Sequence, residues 1–421
     1  DSIIATGFYR LGVWNDEPDD KRAAEYDGLD DMVVAIGASF MGLTVGCARC
    51  HDHMYDAIPQ KDYYSFLAFL RNVRYYDKPK YEEKSATYAS IGNKEWALAV
   101  REHGDKPKET KVLIRGNAAT PGELVKPVFP AVLGGGQAQP VGGKSSTGLR
   151  RSLAEWIAGD SNFLTARVMV NRIWQHLFGR GLVGTPSNLG VSGSPPTHPA
   201  LLDHLAIVLR DSDERIKPLI REICLSHAFQ QDSAYRKSAH ASDPANHLYW
   251  RFPKHRLEAE VIRDSILSSS GKLNRKMGGS GIKPRIPSEI ITQSMCNQWP
   301  RVKTETATHW RRSVYIYLKR QLPMPLMELL DAPDSSESCA LRFESTTPTQ
   351  ALALLNDAFV NEQAGHAVER ARREKPDAPA QRLMELTWAR APSAAELAKA
   401  RAFLEKPEIT LVDLGVVLFN S

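Results

Sequence analysis

Residues 44–59 read "TVGCARCHDHMYDAIP" and set two cysteines, two histidines and two aspartates within the ten positions 47–56. Cys47-Ala48-Arg49-Cys50-His51 has the C-x-x-C-H spacing of a covalent haem attachment site. Two thiols three residues apart on one helical turn can add to the two vinyl groups of haem, which places the next residue, His51, under the iron as axial ligand. Cys47, Cys50 and His51 are therefore the candidate cofactor-binding residues, with haem c as the expected cofactor and His51 as its iron ligand. The same side chains admit other chemistry: a Cys47–Cys50 disulfide, an ion site or free thiols. Zinc asks for four ligands, and no second C-x-x-C or paired histidine lies nearby to complete a closed site. Cys50 and His51, being adjacent, would also crowd one another at a single small ion. A thioredoxin-like redox pair asks for a βαβ setting, whereas the flanks here are helical in pattern.

Asp52, His53 and Asp56 are left over as ligands. They could hydrogen-bond behind the iron ligand or hold a separate cation, with His53 and Asp56 as secondary metal candidates, or form a solvated polar turn. His53 and Met54 follow His51 too closely to reach the opposite face of a porphyrin. A sixth iron ligand would have to be a residue such as Met41, His176 or His227, unless the position is open.

The elements that must position these residues are helices. "LDDMVVAIGASFMGLTVG" before the cysteines and "QKDYYSFLAFLRNV" after them keep apolar residues at helical spacing, and their "FMGLTVG" and "YYSFLAFL" segments could wall a buried porphyrin. Residues 76–110 are charged and irregular, with a surface helix expected around "NKEWALAVREHG". "KETKVLIRGNAATPGELVKPVFPAVL" offers short strands broken by Asn, Gly and Pro. A Gly-rich stretch at 134–148, "GGGQAQPVGGKSSTG", reads as a linker. Its "AQPVGGKS" fits a relaxed phosphate-loop pattern through Lys144 and Ser145, but Pro140 interrupts it and no β-α series follows. Beyond 148 the pattern is strongly helical, with one minor β element expected at "RRSVYIYLKR". The expected fold class is mainly α: a haem-bearing helical domain with a β or irregular extension at 1–133, the linker at 134–148, and a large helical domain at 149–421.

Two polar clusters in the helical region are weighed against structural readings. "VNRIWQHLFGRGLV" sets Arg172 and His176 four apart beside Asn171 and Trp174, which could line a pocket or pin neighbouring loops. "HRLEAEVIRDSI" sets Arg256, Glu260 and Arg263 at spacings that suit exposed helix-surface ion pairs. "NDEPDDKR" at 15–22 lacks the twelve-residue calcium loop with its terminal Glu and reads as a solvated loop.

With 421 residues, 42% hydrophobic and 24% charged, the chain lies in the globular range, with two domains as the default. Its 54 basic and 49 acidic residues are mixed along the chain, so no basic stripe marks a nucleic-acid groove. No apolar run approaches the ~20 residues of a membrane span. The start, "DSIIATGFYRLG", has neither an initiator Met nor the sections of a signal peptide, so a targeting signal is expected upstream.

The long segments "YDGLDDMVVAIGASFMGLTVGCARCHDHMYDAIPQKDYYSFLAFL", "RRSLAEWIAGDSNFLTARVMVNRIWQHLFGRGLVGTPSNLGVSGSPPTHPALLDHLA", "LYWRFPKHRLEAEVIRDSIL" and "DAPDSSESCALRFESTTPTQALALLNDAFV" together resemble the planctomycete cytochrome-associated two-domain family, whose domains are of unknown function. The resemblance covers nearly the whole chain. Members are similar in carrying "CARCHDH" followed by Lys-Phe-Asp-Pro, where this chain has Met54-Tyr55-Asp56-Ala57. The resemblance implies haem attachment at Cys47, Cys50 and His51, an extracytoplasmic location, and a redox partner protein or an additional cytochrome module. It also implies a short tail beyond "LFNS". The expected function is an extracytoplasmic c-type haem protein serving electron transfer or haem-linked redox chemistry. Two alternatives stay open: a secreted enzyme acting on an organic or polysaccharide substrate in the helical C-terminal domain, and a haem-free interaction protein with a Cys47–Cys50 disulfide.

Overall fold

Apolar side chains recurring three and four residues apart must find a common face to bury, and most of this chain does so as helices packed on helices. A computed structural model describes residues 2–13, 17–74, 88–92, 95–293, 299–336 and 339–421. Asn15 and Asp16 of the acidic loop, the irregular stretch at 76–87 and Cys296 lie outside them. The architecture is mainly α, with two small two-stranded sheets. By its contacts the chain divides into two units, Asp1–Lys254 and His255–Ser421.

In the first unit, α1 (Lys21–Ile36) begins at Asp20, whose carboxylate accepts from the Arg22 and Ala23 backbone N–H groups. It buries Tyr26, Leu29, Met32, Val33 and Ile36 on one face. A widened turn, Gly37–Met41, continues it. After the cysteine segment, α2 (Gln60–Leu67) turns Tyr63, Tyr64, Phe66 and Leu67 into the same core. Antiparallel β1 (Tyr88–Gly92) and β2 (Glu95–Leu98) form one sheet, and β3 (Thr110–Leu113) and β4 (Pro121–Val125) the other. The expected surface helix around 93–104 is thus a strand over 95–98. Hydrogen bonding to 88–92 outweighs the local helix preference of Glu, Ala and Leu, and Ala99 and Val100 follow it into the core.

The expected linker, 134–148, lies within this unit. The Glu102 carboxylate accepts from Thr147 N (2.7 Å), Thr147 Oγ1 (2.8 Å) and Arg150 Nε (2.9 Å), and these bonds hold it ionised below the usual carboxylate range against the opposing effect of burial. α3 (Leu149–Ala158) follows at once and sends Leu149 and Leu153 into the first core. There Phe69, Phe129 and Trp156 stack with centroids 5.0 and 4.8 Å apart. α4 (Leu164–Phe178), α5 (Pro199–Asp211) and α6 (Ile216–Leu225) build a second core around Trp174, Phe178, Leu205 and Ile223.

The second unit is built on α7 (Ala259–Ser269), α8 (Pro325–Leu329), α9 (Pro348–Asn356), α10 (Ala358–Glu374), α11 (Pro379–Trp388), α12 (Ala394–Leu404) and α13 (Leu411–Phe419). Reciprocal caps start three of these helices: Thr347 with Gln350, Ser393 with Glu396, and Thr410 with Asp413. On α10, Ala364, Ala367 and Ala371 are fully buried, and their small side chains let neighbouring helices approach. The β element expected over 311–320 is reduced to two isolated parallel bridges, Asn274 to Arg311 and Ile282 to Ile316. Ser313 N is bonded to the Asp264 carboxylate, and Ser313–Tyr315 forms a 3-10 turn instead of an extended strand.

Candidate functional site

The C-x-x-C-H segment is a short 3-10 turn, Val45–Arg49, continued by Cys50 and His51. Val45 and Ala48 point into the first core, which leaves the alternate positions outside: Cys47, Cys50 and His51 are all exposed. Both thiols are unbonded. The turn is held from beneath by Arg49, which lies between the cysteines. Its guanidinium bonds Asp30 at 3.0 Å and Asp27 at 2.5 Å, two acids three residues apart on α1. Its carbonyl accepts from Gln60 Nε2 (2.9 Å) and Tyr64 Oη (3.0 Å) on α2, and Tyr63 Oη donates to Asp30. Burial opposes the charge on Arg49, but Asp27 and Asp30 outweigh it and raise its pKa. Burial likewise pushes the Tyr64 hydroxyl up to about 12. Both helices therefore clamp a residue that lies between the two thiols.

His51 Nδ1 lies 2.6 Å from the Asp52 carbonyl oxygen. A carbonyl only accepts, so Nδ1 carries the proton and Nε2 of the neutral ring keeps its lone pair for a ligand. Asp52 in turn accepts from Gln60 N at 2.8 Å, tying the histidine's support to the start of α2. Gly116 closes on Cys50: a Cβ at Gly116 would stand 2.7 Å from Cys50 Sγ, and its φ of 72° suits glycine. Next to it, Arg115 holds a φ of 54°.

His53 and Asp56 have other work. His53 is buried, and its Nδ1 accepts from Asp56 N (2.8 Å) and Tyr55 N (3.2 Å), so its proton sits on Nε2, 2.9 Å from Thr44 Oγ1 and 3.5 Å from Asp56 Oδ2. Asp56 Oδ1 accepts from Val191 N at 2.7 Å. A Cβ at Gly190 would meet both carboxylate oxygens at 2.5 Å, so the 188–191 loop lies directly on Asp56. These two residues close the 52–58 turn and fasten it to that loop. Among the described residues, no group of three or more His, Cys, Asp or Glu side chains is arranged to hold a metal ion.

The aromatic segments expected as porphyrin walls face inward. Met41, Tyr63, Tyr64, Phe66, Phe69 and Leu70 are at most 1% exposed, because α1 and α2 need them to make the core of this unit. The apolar side chains left outside close in sequence to the attachment turn are Met54 (74% exposed) and Tyr55 (62%). Of the suggested sixth ligands, Met41 lies in the core, whereas His176 and His227 are exposed.

The Asn171 cluster on α4 does not converge. Asn171 exchanges two bonds with the Val183 backbone (3.0 and 2.8 Å), Arg172 Nη2 donates to the Ala38 carbonyl (2.9 Å), and Trp174 Nε1 donates to Tyr249 Oη (2.7 Å). Each reaches a different segment of the chain. In the second unit, the expected helix-surface pairs are replaced by long-range ones. Arg256 precedes α7 and bonds Asp331 at 2.6 Å, Glu260 takes a two-pronged bond from Arg342 (2.6 and 3.1 Å), and fully buried Arg263 donates to the carbonyls of His309 and Arg311 (2.9 and 3.1 Å). The helical spacing is present, but each side chain leaves toward a different partner segment.

Two family models match the chain, one described as PSCyt2, protein of unknown function (DUF1549), over residues 1–75, and one described as PSD1, protein of unknown function (DUF1553), over residues 149–404. The first spans the attachment turn with α1 and α2; the second spans α3 to α12. No curated protein and no solved structure matches the chain. No helix of the described residues is long and apolar enough to cross a membrane. Since the second match alone covers more than half of the sequence, the chain belongs to the PSD1 (DUF1553) family of proteins of unknown function, joined to a PSCyt2 (DUF1549) domain at its N-terminal end.

Proposed function

We propose that this chain is an extracytoplasmic c-type haem protein of the planctomycete cytochrome-associated group, carrying haem attached covalently at Cys47 and Cys50 with His51 as the axial ligand. The observation that carries the reading is the arrangement of the three groups: two exposed thiols on one supported turn, and an exposed imidazole whose Nδ1 proton is spent on the Asp52 carbonyl. An imidazole fixed in this tautomer offers Nε2 to a metal, the same division of labour found when a second partner orients a metal-bound histidine. When bound, haem supplies a one-electron iron couple, which suits exchange with a redox partner protein or a further cytochrome module.

The chain's own residues supply attachment and orientation. Arg49, anchored to Asp27 and Asp30, keeps the turn rigid so that the two Sγ atoms hold their spacing. Asp52, anchored to Gln60, fixes the plane of His51. Because Tyr63, Tyr64 and Phe66 are committed to the core, they do not enclose the attachment turn, and a haem held by Cys47, Cys50 and His51 would be within reach of a partner.

The test is expression in a host with haem c maturation machinery, followed by a pyridine haemochrome spectrum and a denaturing gel stained for covalent haem. Wild type is expected to carry about one haem per chain. Cys47→Ser with Cys50→Ser is expected to lose it, and His51→Ala to keep the covalent haem with an altered spectrum. Protein recovered without covalent haem overturns the reading, and a Cys47–Cys50 disulfide in that protein would favour the haem-free interaction protein.

A further inference from the structure

Several arginines among the described residues are matched with a carboxylate: Arg71 with Glu25, Arg150 with Glu102, Arg167 with Asp203, Arg285 with Glu362, Arg342 with Glu260 and Arg382 with Glu374. One small cavity of the first unit gathers cations with no such partner in its wall. It has a volume of about 190 Å³ and is lined by the cationic side chains Arg180, Arg251 and Lys254, by His247 and by Thr197, with no Asp or Glu in its wall. None of the three cations forms a salt bridge with a carboxylate among the described residues. Arg180 bonds the His247 ring and feels Asp243 only through space, with no ion pair between them, Arg251 meets the face of Trp250 at 4.8 Å, and no hydrogen bond or ion pair is made by Lys254. Three like charges gathered on one concavity repel one another, and most of their N–H groups are left unspent.

The wall that carries them is rigid without using those groups. Asp243 accepts from the His247 and Leu248 backbone N–H groups (3.0 and 2.8 Å), which lowers its pKa against the opposing effect of burial. The Asn246 side chain donates to the Arg251 carbonyl (2.9 Å) and accepts from Arg251 N (3.2 Å). Gln231 and Trp174 hold Tyr249 at its carbonyl and hydroxyl (2.6 and 2.7 Å). Within this frame Asn246 and Tyr249 adopt φ values of 55° and 51°. A tyrosine takes that conformation only where its surroundings impose it. The loop is preorganised, and the unspent donors are the cations that face the cavity.

We propose that this cavity binds a tetrahedral oxyanion, a phosphate or sulfate group. Its size suits one such group with accompanying water, and a doubly charged anion with several acceptor oxygens matches three cations better than a single carboxylate does. The group belongs either to the free ion or to an ester on a larger molecule. The site is separate from the attachment turn, so its test does not depend on haem.

The experiment is isothermal titration of the full chain at low ionic strength and pH 7 with inorganic phosphate, inorganic sulfate and glycerol 3-phosphate, with acetate at matched ionic strength as control. Saturable binding of one phosphate or sulfate per chain is expected, with none for acetate. Lys254→Gln, at an exposed position, and Arg251→Gln are each expected to weaken binding by about tenfold or more, with Arg251→Lys weakening it less. Far-UV circular dichroism checks that each variant is folded. Tighter binding of glycerol 3-phosphate than of inorganic phosphate assigns the site to an ester; equal or weaker binding assigns it to the free ion. Absence of saturable binding, or binding unchanged in both Lys254→Gln and Arg251→Gln, overturns the proposal.

Discussion

The contact between Asp56 and Gly190 couples the attachment segment to the PSD1 portion of the chain, and a double-mutant cycle measures it. In Gly190→Ala the new Cβ would stand 2.5 Å from both Asp56 oxygens and 2.7 Å from Cγ, so the loop and the carboxylate must part by about 1 Å. Overpacking of that kind costs about 1–3 kcal/mol. Asp56→Ala removes the 2.7 Å bond to Val191 N but keeps the backbone bonds Asp56 N to His53 Nδ1 and Ile58 N to the residue-56 carbonyl. Its expected cost is about 1 kcal/mol, one hydrogen bond partly offset by relief of the buried, unbonded Oδ2. In the double variant the Cβ at 190 enters space that the carboxylate has vacated. The double cost should therefore fall short of the sum by about 1–2 kcal/mol. Urea denaturation at pH 7, followed by far-UV circular dichroism with unchanged m-values, reads all four corners. Costs that add to within about 0.3 kcal/mol would refute the contact.

In the second unit, Asp331 accepts from Ser345 N (2.9 Å), Arg256 Nη1 (2.6 Å) and Gln350 Nε2 (3.0 Å), which together outweigh burial and hold its carboxyl at about 2. A folded pKa below the unfolded value stabilises above the unfolded pKa and stops stabilising as pH falls through the folded one. Asp331→Asn should cost about 2 kcal/mol at pH 7, and the difference from wild type should shrink between pH 4 and pH 2 in denaturant titrations. Because Asp331 sits at a φ of 63°, which asparagine tolerates, a cost independent of pH would contradict the ion-pair origin. Asp30→Ala removes the partner of a buried Tyr63 hydroxyl and one anchor of Arg49, and should cost about 2–3 kcal/mol in the same assay; the pair Asp30→Ala with Tyr63→Phe should recover part of it. Arg263→Met should cost about 3 kcal/mol by orphaning the His309 and Arg311 carbonyls, seen as a lowered denaturation midpoint.

What could be read from the sequence was whatever is local. The helices α1 and α2 on either side of the cysteines, and α3 to α6 after residue 148, follow from apolar spacing, because one turn of helix writes its own period. The C-x-x-C-H spacing was equally legible, and it does place three exposed groups on one turn. Contacts between distant residues were not legible. Asp56 meets Val191 135 positions away, Arg256 meets Asp331 75 away, and Arg342 meets Glu260 82 away. The i,i+3 and i,i+4 spacings of Arg256, Glu260 and Arg263 therefore suggested pairs that the side chains do not make. The strand at 95–98 depends on a partner strand whose pairing outweighs local preference. The walls expected around the attachment turn illustrate a further limit: an apolar run near a site reads the same whether it lines the site or the core behind it.

The central claim, haem bound through both thiols, is tested most directly by the mass of the tryptic fragments around Arg49. Trypsin cuts after Arg49, between the two cysteines, so the Cys47 and Cys50 fragments separate unless something joins them. The account predicts that they stay joined after reduction, through thioether bonds to one haem whose mass adds several hundred daltons. Fragments that separate on reduction, or that are free throughout in protein from a haem c-competent host, would contradict it.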